Sequence, residues 1–378
     1  MSYQEMGVKV GIEVHQQLNV GRKLFCNGPM IETDEVDSRI LRRLRPTQSE
    51  LGEVDPAVLY EFRKGKATIY LYNRKNACLV ECDEEPPHPI NMEAVKAAMT
   101  IAMALNSKIV EEMHVMRKIV IDGSNTTGFQ RTVLVGLGGY LEVGNLVVPV
   151  QTVSLEEDAA RIIEEGEDFR VYSLDRLGIP LVEVALAPIS ADPKTVERVA
   201  LELGRLLRLT KLVARGLGTI RQDLNISVHG FSPSEVKGVQ KLDLIPKIVE
   251  YEVRRQDYLY RVSKMLKDRG VDAEKAIGRY VDVSEAFQIT GSKIVREALS
   301  SGKRAWGLKL AGFRGLLGAE PYPDVRLGLE LAEMARAYHL GGVIHSDELP
   351  AYGISQGEVE EVERTLDVAE GDGFFLIF

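Results

Sequence analysis

The stretch from Val8 to Leu18, V-K-V-G-I-E-V-H-Q-Q-L, leaves this chain few ways to fold. Val8, Val10, Ile12 and Val14 alternate with Lys9, Gly11, Glu13 and His15, the period of a β-strand with one buried face. The apolar half must lie on a core, so Glu13 and His15 project together from the opposite face. Two positions along a strand span roughly 6.6 Å, short enough for the pair to share one cation or one water. Taken alone, the segment favours a plainer reading, a surface strand with two ordinary polar residues. The alternative depends on whether other strands bring carboxylates to the same place.

Three further stretches offer them. V-S-L-E-E-D-A sets Glu156, Glu157 and Asp158 directly after a strand, where three adjacent acids need a cation, a helix N-terminus or open water. A helix over 159–164 whose dipole favours those acids is the competing account. In R-L-G-I-P-L-V-E-V-A-L-A-P, Glu183 shares a strand face with Leu181 and Ala185, and acids on apolar faces are rare unless paired or metal-bound. In G-T-I-R-Q-D-L-N-I-S-V, Ile220, Leu224, Ile226 and Val228 face a core, while Thr219, Arg221, Asp223, Asn225 and Ser227 form an unbroken polar face. Four such strands suggest a sheet cradling divalent cations. Carboxylates with few nitrogens suit Mg²⁺ or Mn²⁺ better than Zn²⁺, and such sites serve phosphate chemistry. G-L-G-G at 136–139 lacks the lysine and spacing of a phosphate-binding P-loop and reads as a turn.

Elsewhere 66–72 is strand-like, three prolines within 84–89 stop any element, and 92–105 is a helix capped by Asn91. Residues 117–122 read as a strand, and Gly144-Asn145 turns a hairpin. The clearest helix spans 192–209, with Asp192 capping, Pro193 at the first position and Val196, Val199, Ala200, Leu203, Leu206 and Leu207 on its apolar face. Residues 244–267 are helical and highly charged, 302–318 read as strands with tight turns, and the closing G-F-F-L-I-F reads as an apolar strand without a partner. No apolar run reaches the length of a membrane span, so nothing is expected to cross or anchor in a membrane, and the location expected is the cytoplasm. The net charge of −9 argues against bulk electrostatic binding of nucleic acid. Arg39, Arg42, Arg43 and Arg45 leave two readings open, a local basic groove or a solvated helix or loop. Cys26, Cys78 and Cys82 need a fourth ligand, such as His88 or Asp83, to close a zinc site; buried, inert thiols are the expectation.

Together the motifs G-I-E-V-H-Q-Q-L with K-L-F-C (11–26), N-A-C-L-V-E-C-D-E-E-P-P (76–87), I-D-G-S-N-T-T-G-F-Q-R-T (121–132), L-E-E-D-A (155–159), D-R-L-G-I-P-L-V-E-V (175–184), G-T-I-R-Q-D-L-N-I-S-V (218–228) and Y-E-V-R-R-Q (251–256) resemble the family of the B and E subunits of glutamyl-tRNA(Gln) amidotransferase. The likeness is closest to the archaeal E type, whose insertion, related to one in bacterial-type aspartyl-tRNA synthetases, resembles 282–287, 308–318, 326–331 and 345–354. The resemblance implies an α+β fold: a mixed, largely antiparallel cradle domain over 1–275, then a smaller synthetase-like insertion domain over 276–378, cut short at the C-terminus. It implies ATP-dependent phosphorylation of the γ-carboxylate of glutamate on tRNA(Gln), with ammonia from an amidase partner (the archaeal D subunit) displacing phosphate, in a heterotetramer of two of each subunit. It carries metal ligands onto His15, Glu157 and Glu183, places Glu13 and Asp223 near a second cation, and sets Gln130, Arg221 and Asn225 in motifs lining the same cradle. The cofactors implied are ATP with Mg²⁺, or Mn²⁺ in its place. Members of the B type often carry a four-cysteine zinc site, for which three cysteines fall one short. Much of the RNA contact is expected from C-terminal parts of the family that this chain lacks. Two other readings stand beside this one: a non-catalytic tRNA-binding adaptor, and a metal-dependent ligase acting on a small carboxylate.

Overall fold

The computed structural model describes residues 2–46, 52–320, 325–338, 340 and 342–378. Its first compact unit, Met1–Val249, is built in order from β1 (Lys9–Gln17), β2 (Ser38–Arg43), α1 (Pro56–Arg63), β3 (Ala67–Tyr72), α2 (Met92–Ala104), β4 (Lys108–Ile109), β5 (Val115–Ile119), β6 (Phe129–Leu137) and β7 (Tyr140–Val143). It continues through β8 (Leu146–Glu157), β9 (Arg161–Glu165), β10 (Phe169–Ser173), β11 (Pro180–Leu186), α3 (Pro193–Leu209), β12 (Ile220–Ser227) and β13 (Ser234–Val239). One sheet of nine strands has the order β13-β12-β1-β11-β8-β6-β4, with β5 on β6 and β7 on β8. A second sheet runs β2-β3-β10-β9, with β3 and β10 parallel and its other pairs antiparallel.

Register divides the large sheet into two faces. Val14 pairs with Val184, which pairs with Val153, and all three are buried. Helices α2 and α3 pack on this valine face, α2 against β4, β6 and β8 and α3 against β1 and β7. Gly136 allows the close approach, since a Cβ there would meet the Ala102 Cβ at 3.0 Å. Asn91 caps α2 by accepting from Glu93 N and Ala94 N, and Asp192 caps α3 from Lys194 N and Thr195 N, as the sequence predicts. Val196, Val199, Ala200, Leu203 and Leu207 form the buried side of α3. At roughly 1.5–3 kcal/mol per buried side chain of this kind, that stripe, more than intrinsic helix propensity, holds α3 in place. The opposite sheet face carries the polar row.

The second unit, Glu250–Phe378, takes in most of α4 (Ile245–Asp268), then β14 (Ile277–Asp282), α5 (Lys293–Ser300), β15 (Trp306–Leu310), α6 (Leu327–Ala337), β16 (Val343–His345), α7 (Gln356–Thr365) and β17 (Gly373–Ile377). Its antiparallel sheet runs β14-β15-β17-β16. Ile344, Phe374 and Leu376 pack with Val295 and Val362, and Leu310, Leu317 and Phe375 form a cluster with Leu327 and Leu331. The units divide after Val249, inside α4, rather than near residue 275, because Tyr258 and Val262 already pack with Leu316.

Four expectations are corrected. The helix over 159–164 is replaced by strand β9, which β10 recruits by antiparallel pairing. The strand expected at 117–122 runs Val115–Ile119. Only β15 is a strand within 302–318; the glycines after it form turns. The closing apolar run does have partners, since β17 lies between β15 and β16.

Candidate functional site

The polar face assembles its groups by cross-strand pairing. His15 on β1 lies opposite Glu183 on β11 and Arg221 on β12, and Glu13 lies opposite Asp223. Glu183 in turn faces Ser154 on β8, so Glu156, two residues on, points to the same side. His15, Glu156 and Glu183 each offer a donor atom within 4.8 Å of the others. His15 Nε2 is 3.1 Å from Glu183 Oε2 and 4.0 Å from Glu156 Oε2, and Nδ1 is 3.9 Å from Asp223 Oδ2. His15 Nδ1 and Glu156 Oε2 are buried without a hydrogen-bond partner. A buried imidazole nitrogen and a buried carboxylate oxygen are each costly without a partner, and in this acidic setting the residues fit a hard divalent cation.

The protein's own cation here is Lys118 on β5, whose Nζ donates to Glu156 Oε1 at 3.0 Å and lies 3.8 Å from Glu183 Oε2. Burial opposes the Lys118 charge, but the carboxylates of Glu156, Glu183 and Glu13 together hold the ammonium above its ordinary range. Burial likewise opposes the Glu183 charge, yet the His15 hydrogen bond and the charges of His15 and Lys118 leave its carboxyl below the usual range.

Next to this group Glu13, Asp223 and Glu235 form a second one, again with donor atoms within 4.8 Å. Asn225 Nδ2 donates to Glu13 Oε1 at 3.2 Å, and Gly238 N to Asp223 Oδ1 at 2.7 Å. Burial, and after it the charges of Glu183 and Glu235, push the Glu13 carboxyl up. Like charges this close favour either a shared proton or a bound cation.

Glu157 does not join either group. Successive strand residues alternate sides, so it points opposite to Glu156 and is held by Arg131, whose Nη1 lies 3.0 and 3.1 Å from its two carboxylate oxygens. Burial raises the Glu157 carboxyl, with Arg131 pulling the other way. Glu156, rather than the expected Glu157, is the carboxylate that faces His15 and Glu183. Gln130 donates to the Glu157 carbonyl at 2.6 Å, which makes it a brace for that strand end. Arg221, a third exposed, lies 3.6 Å from Asp158 Oδ1 on the polar face, and Asn225 lines the second group. Lys118 and Glu235 escape sequence reasoning altogether. Glu156 stood beside the chosen residue, and strand parity with Ser154 is the signal that separates the two.

The cysteines gather only in part. Cys26, Cys78 and Glu81 come within 4.8 Å, with Cys26 Sγ donating to Glu81 Oε2 at 3.3 Å. His88 instead pairs with Glu85 at 2.8 Å, and Asp83 lies 3.6 Å from Arg42. The buried ammonium of Lys23 stands 3.8 Å from Glu81. Burial pushes the Cys26 thiol well up, and that of Cys82 to about 11. Three donors beside a lysine are one fewer than a closed tetrahedral zinc site takes.

Residues 8–286 match the family described as the GatB/GatE catalytic domain. The chain is 51% identical over 380 residues to the E subunit of glutamyl-tRNA(Gln) amidotransferase from Aeropyrum pernix, covering 100% of this chain and 59% of that relative. It is 50% identical over 380 residues to the corresponding protein of Sulfurisphaera tokodaii and 51% over 381 residues to that of Saccharolobus solfataricus, each covered to 60%. The chain thus spans about 60% of the length of these curated relatives.

Proposed function

The chain belongs to the family of the GatB/GatE catalytic domain, and from that premise we propose that it carries the phosphorylating and amide-forming site of a tRNA-dependent amidotransferase. A glutamate γ-carboxylate on tRNA(Gln) is a poor electrophile. Attack by one of its oxygens on the γ-phosphorus of ATP breaks the bond to ADP and leaves an acyl phosphate. Ammonia then adds to the acyl carbon, phosphate departs with the C–O electron pair, the nitrogen loses a proton, and glutaminyl-tRNA(Gln) results.

The observation that carries this reading is the group of His15, Glu156 and Glu183, with two unsatisfied donor atoms, beside that of Glu13, Asp223 and Glu235. The first group would hold one Mg²⁺ or Mn²⁺ and the second another; when bound, these ions would neutralise charge on the transferring phosphoryl group. Glu183 fixes the His15 ring through Nε2, and Asn225 orients Glu13. Lys118 on β5 and Arg221 on β12 supply positive charge at the edges of the acidic row, where an anionic substrate is oriented.

The first unit is proposed as the cradle and the second as the synthetase-like insertion. The proposed partners are an amidase subunit that supplies ammonia, in a heterotetramer of two of each, and the proposed location is the cytoplasm. No helix among the described residues is long and apolar enough to cross a membrane. ATP hydrolysis that depends on glutamyl-tRNA(Gln) is the test. His15→Ala and Glu183→Ala are expected to lower it by about 100-fold or more, the range for removing one group that stabilises transition-state charge. Undiminished hydrolysis in either variant would sink the assignment.

A further inference from the structure

The arginine run of 39–45 forms neither helix nor loop over most of its length: it is the edge strand β2, with β3 on one side only. Alternation sorts its side chains. Ile40 turns inward against Tyr70 and Tyr172, and Arg42 is engaged by Glu84 at 2.7 Å and by the Cys82 carbonyl at 2.6 Å. Arg39, Leu41 and Arg43 are exposed, as is Arg45 beyond the strand end. Among the described residues, Arg39, Arg43 and Arg45 have no carboxylate partner, although the chain carries 56 acids against 47 Lys and Arg. Three neighbouring guanidinium groups without a carboxylate partner among the described residues carry local charge opposite in sign to the net charge of the chain.

Arg43 and Arg45 also line a groove of about 300 Å³ with Phe62, Lys66 and Arg170. The acids in that groove are already engaged. Glu61 accepts from Arg170 at 2.6 Å and from Lys64 at 2.7 Å, and Asp122 accepts from Ser124 at 2.7 Å. Lys66 and Arg170 are likewise held by Glu165. The charge left over is that of Arg43 and Arg45, next to a Phe62 ring that is 47% exposed. Free guanidinium groups beside an open aromatic ring are the chemistry of a sugar–phosphate backbone with a base to stack, whereas an acidic protein surface makes no use of the ring. Arg39 and Arg43 stand four strand positions apart, roughly 13 Å, which suits a run of phosphates better than a single anion.

We infer that the outward face of β2 and the groove at its end are an RNA-docking surface, gripping the phosphate backbone through Arg39, Arg43 and Arg45. This rests on the tRNA reading above and assigns part of the RNA contact to the acidic chain itself. The test is fluorescence anisotropy of labelled tRNA(Gln) binding to the 378-residue chain between 50 and 200 mM salt. Each phosphate contact contributes about 0.7–0.9 to the slope of log affinity on log salt, so the triple variant R39Q/R43Q/R45Q is expected to flatten the slope by about 2–3. The triple R39K/R43K/R45K, which keeps the charge, is expected to keep the slope within about 1. An unchanged slope in the glutamine triple, with its melting temperature intact, overturns the surface while leaving the amidotransferase reading standing. So does a glutamine triple that binds tRNA normally but loses an acidic protein partner. If the glutamine triple fails to fold, the lysine triple and Arg39→Gln alone decide, the latter expected to lower the slope by about 0.7–0.9. Salt-independent or absent binding by the unmodified chain overturns the surface, and loss of tRNA-dependent ATP hydrolysis as well overturns both readings.

Discussion

Glu156 and Glu157 are adjacent in sequence and meet different partners, Glu156 the His15–Glu183 pair and Glu157 the Arg131 guanidinium. Glu156→Gln is expected to weaken Mn²⁺ binding by at least tenfold, measured by electron paramagnetic resonance, whereas Glu157→Gln should leave it unchanged. Glu157→Gln should instead destabilise the fold by about 3 kcal/mol, because Arg131 keeps a buried charge without its counter-ion. Equal effects of the two variants on Mn²⁺ would contradict the placement. Lys118 makes the reverse prediction. Its ammonium occupies the carboxylates a cation would use, so Lys118→Met should tighten Mn²⁺ binding while impairing phosphoryl transfer. Weaker binding would show that the lysine lies outside the cation site. A pH effect belongs to Asp175, buried and in contact with Arg161 at 2.7 Å. Burial opposes its charge, but hydrogen bonds from Arg161 and Ser173 lower the carboxyl below its ordinary 3.8. A depressed folded value adds stability above the unfolded pKa and loses it as pH falls through the folded one. The stability gap between the unmodified protein and Asp175→Asn should therefore be full at pH 7 and narrow progressively below about pH 4, followed by urea unfolding.

At the scale of elements, local chemistry was the better guide. Asn91 and Asp192 cap the helices expected of them, since a cap needs only a side chain and two amides within three residues. The β1 strand was equally legible from its period of two. The segment after Asp158 was not, because pairing with β10 outweighs its helical pattern. Gly136 tests the packing of α2 on the sheet. Gly136→Val places a side chain against the Ala102 Cβ at 3.0 Å and the Ser107 Cβ at 3.2 Å, and should cost about 1–3 kcal/mol in chemical denaturation. A neutral result would mean the helix is less closely seated.

Across the whole molecule, each unit has its own buried cluster, and the closing strand β17 lies inside the second unit's sheet rather than at a frayed end. Phe374→Ala is expected to cost about 3–5 kcal/mol of that unit's stability, and a loss under about 1 kcal/mol would place the ring outside the core. By itself the sequence determined the strands with one polar face, the capped helices, the α+β class and the family, since periods, caps and motifs are properties of neighbouring residues. Only the tertiary structure decided that Glu156 and not Glu157 meets His15 and Glu183, that Lys118 reaches this pair while Glu235 joins Glu13 and Asp223, and that Arg39 and Arg43 share the outer face of an edge strand. Those outcomes depend on which strands pair and in what register, and a slip of one residue turns every side chain to the other face.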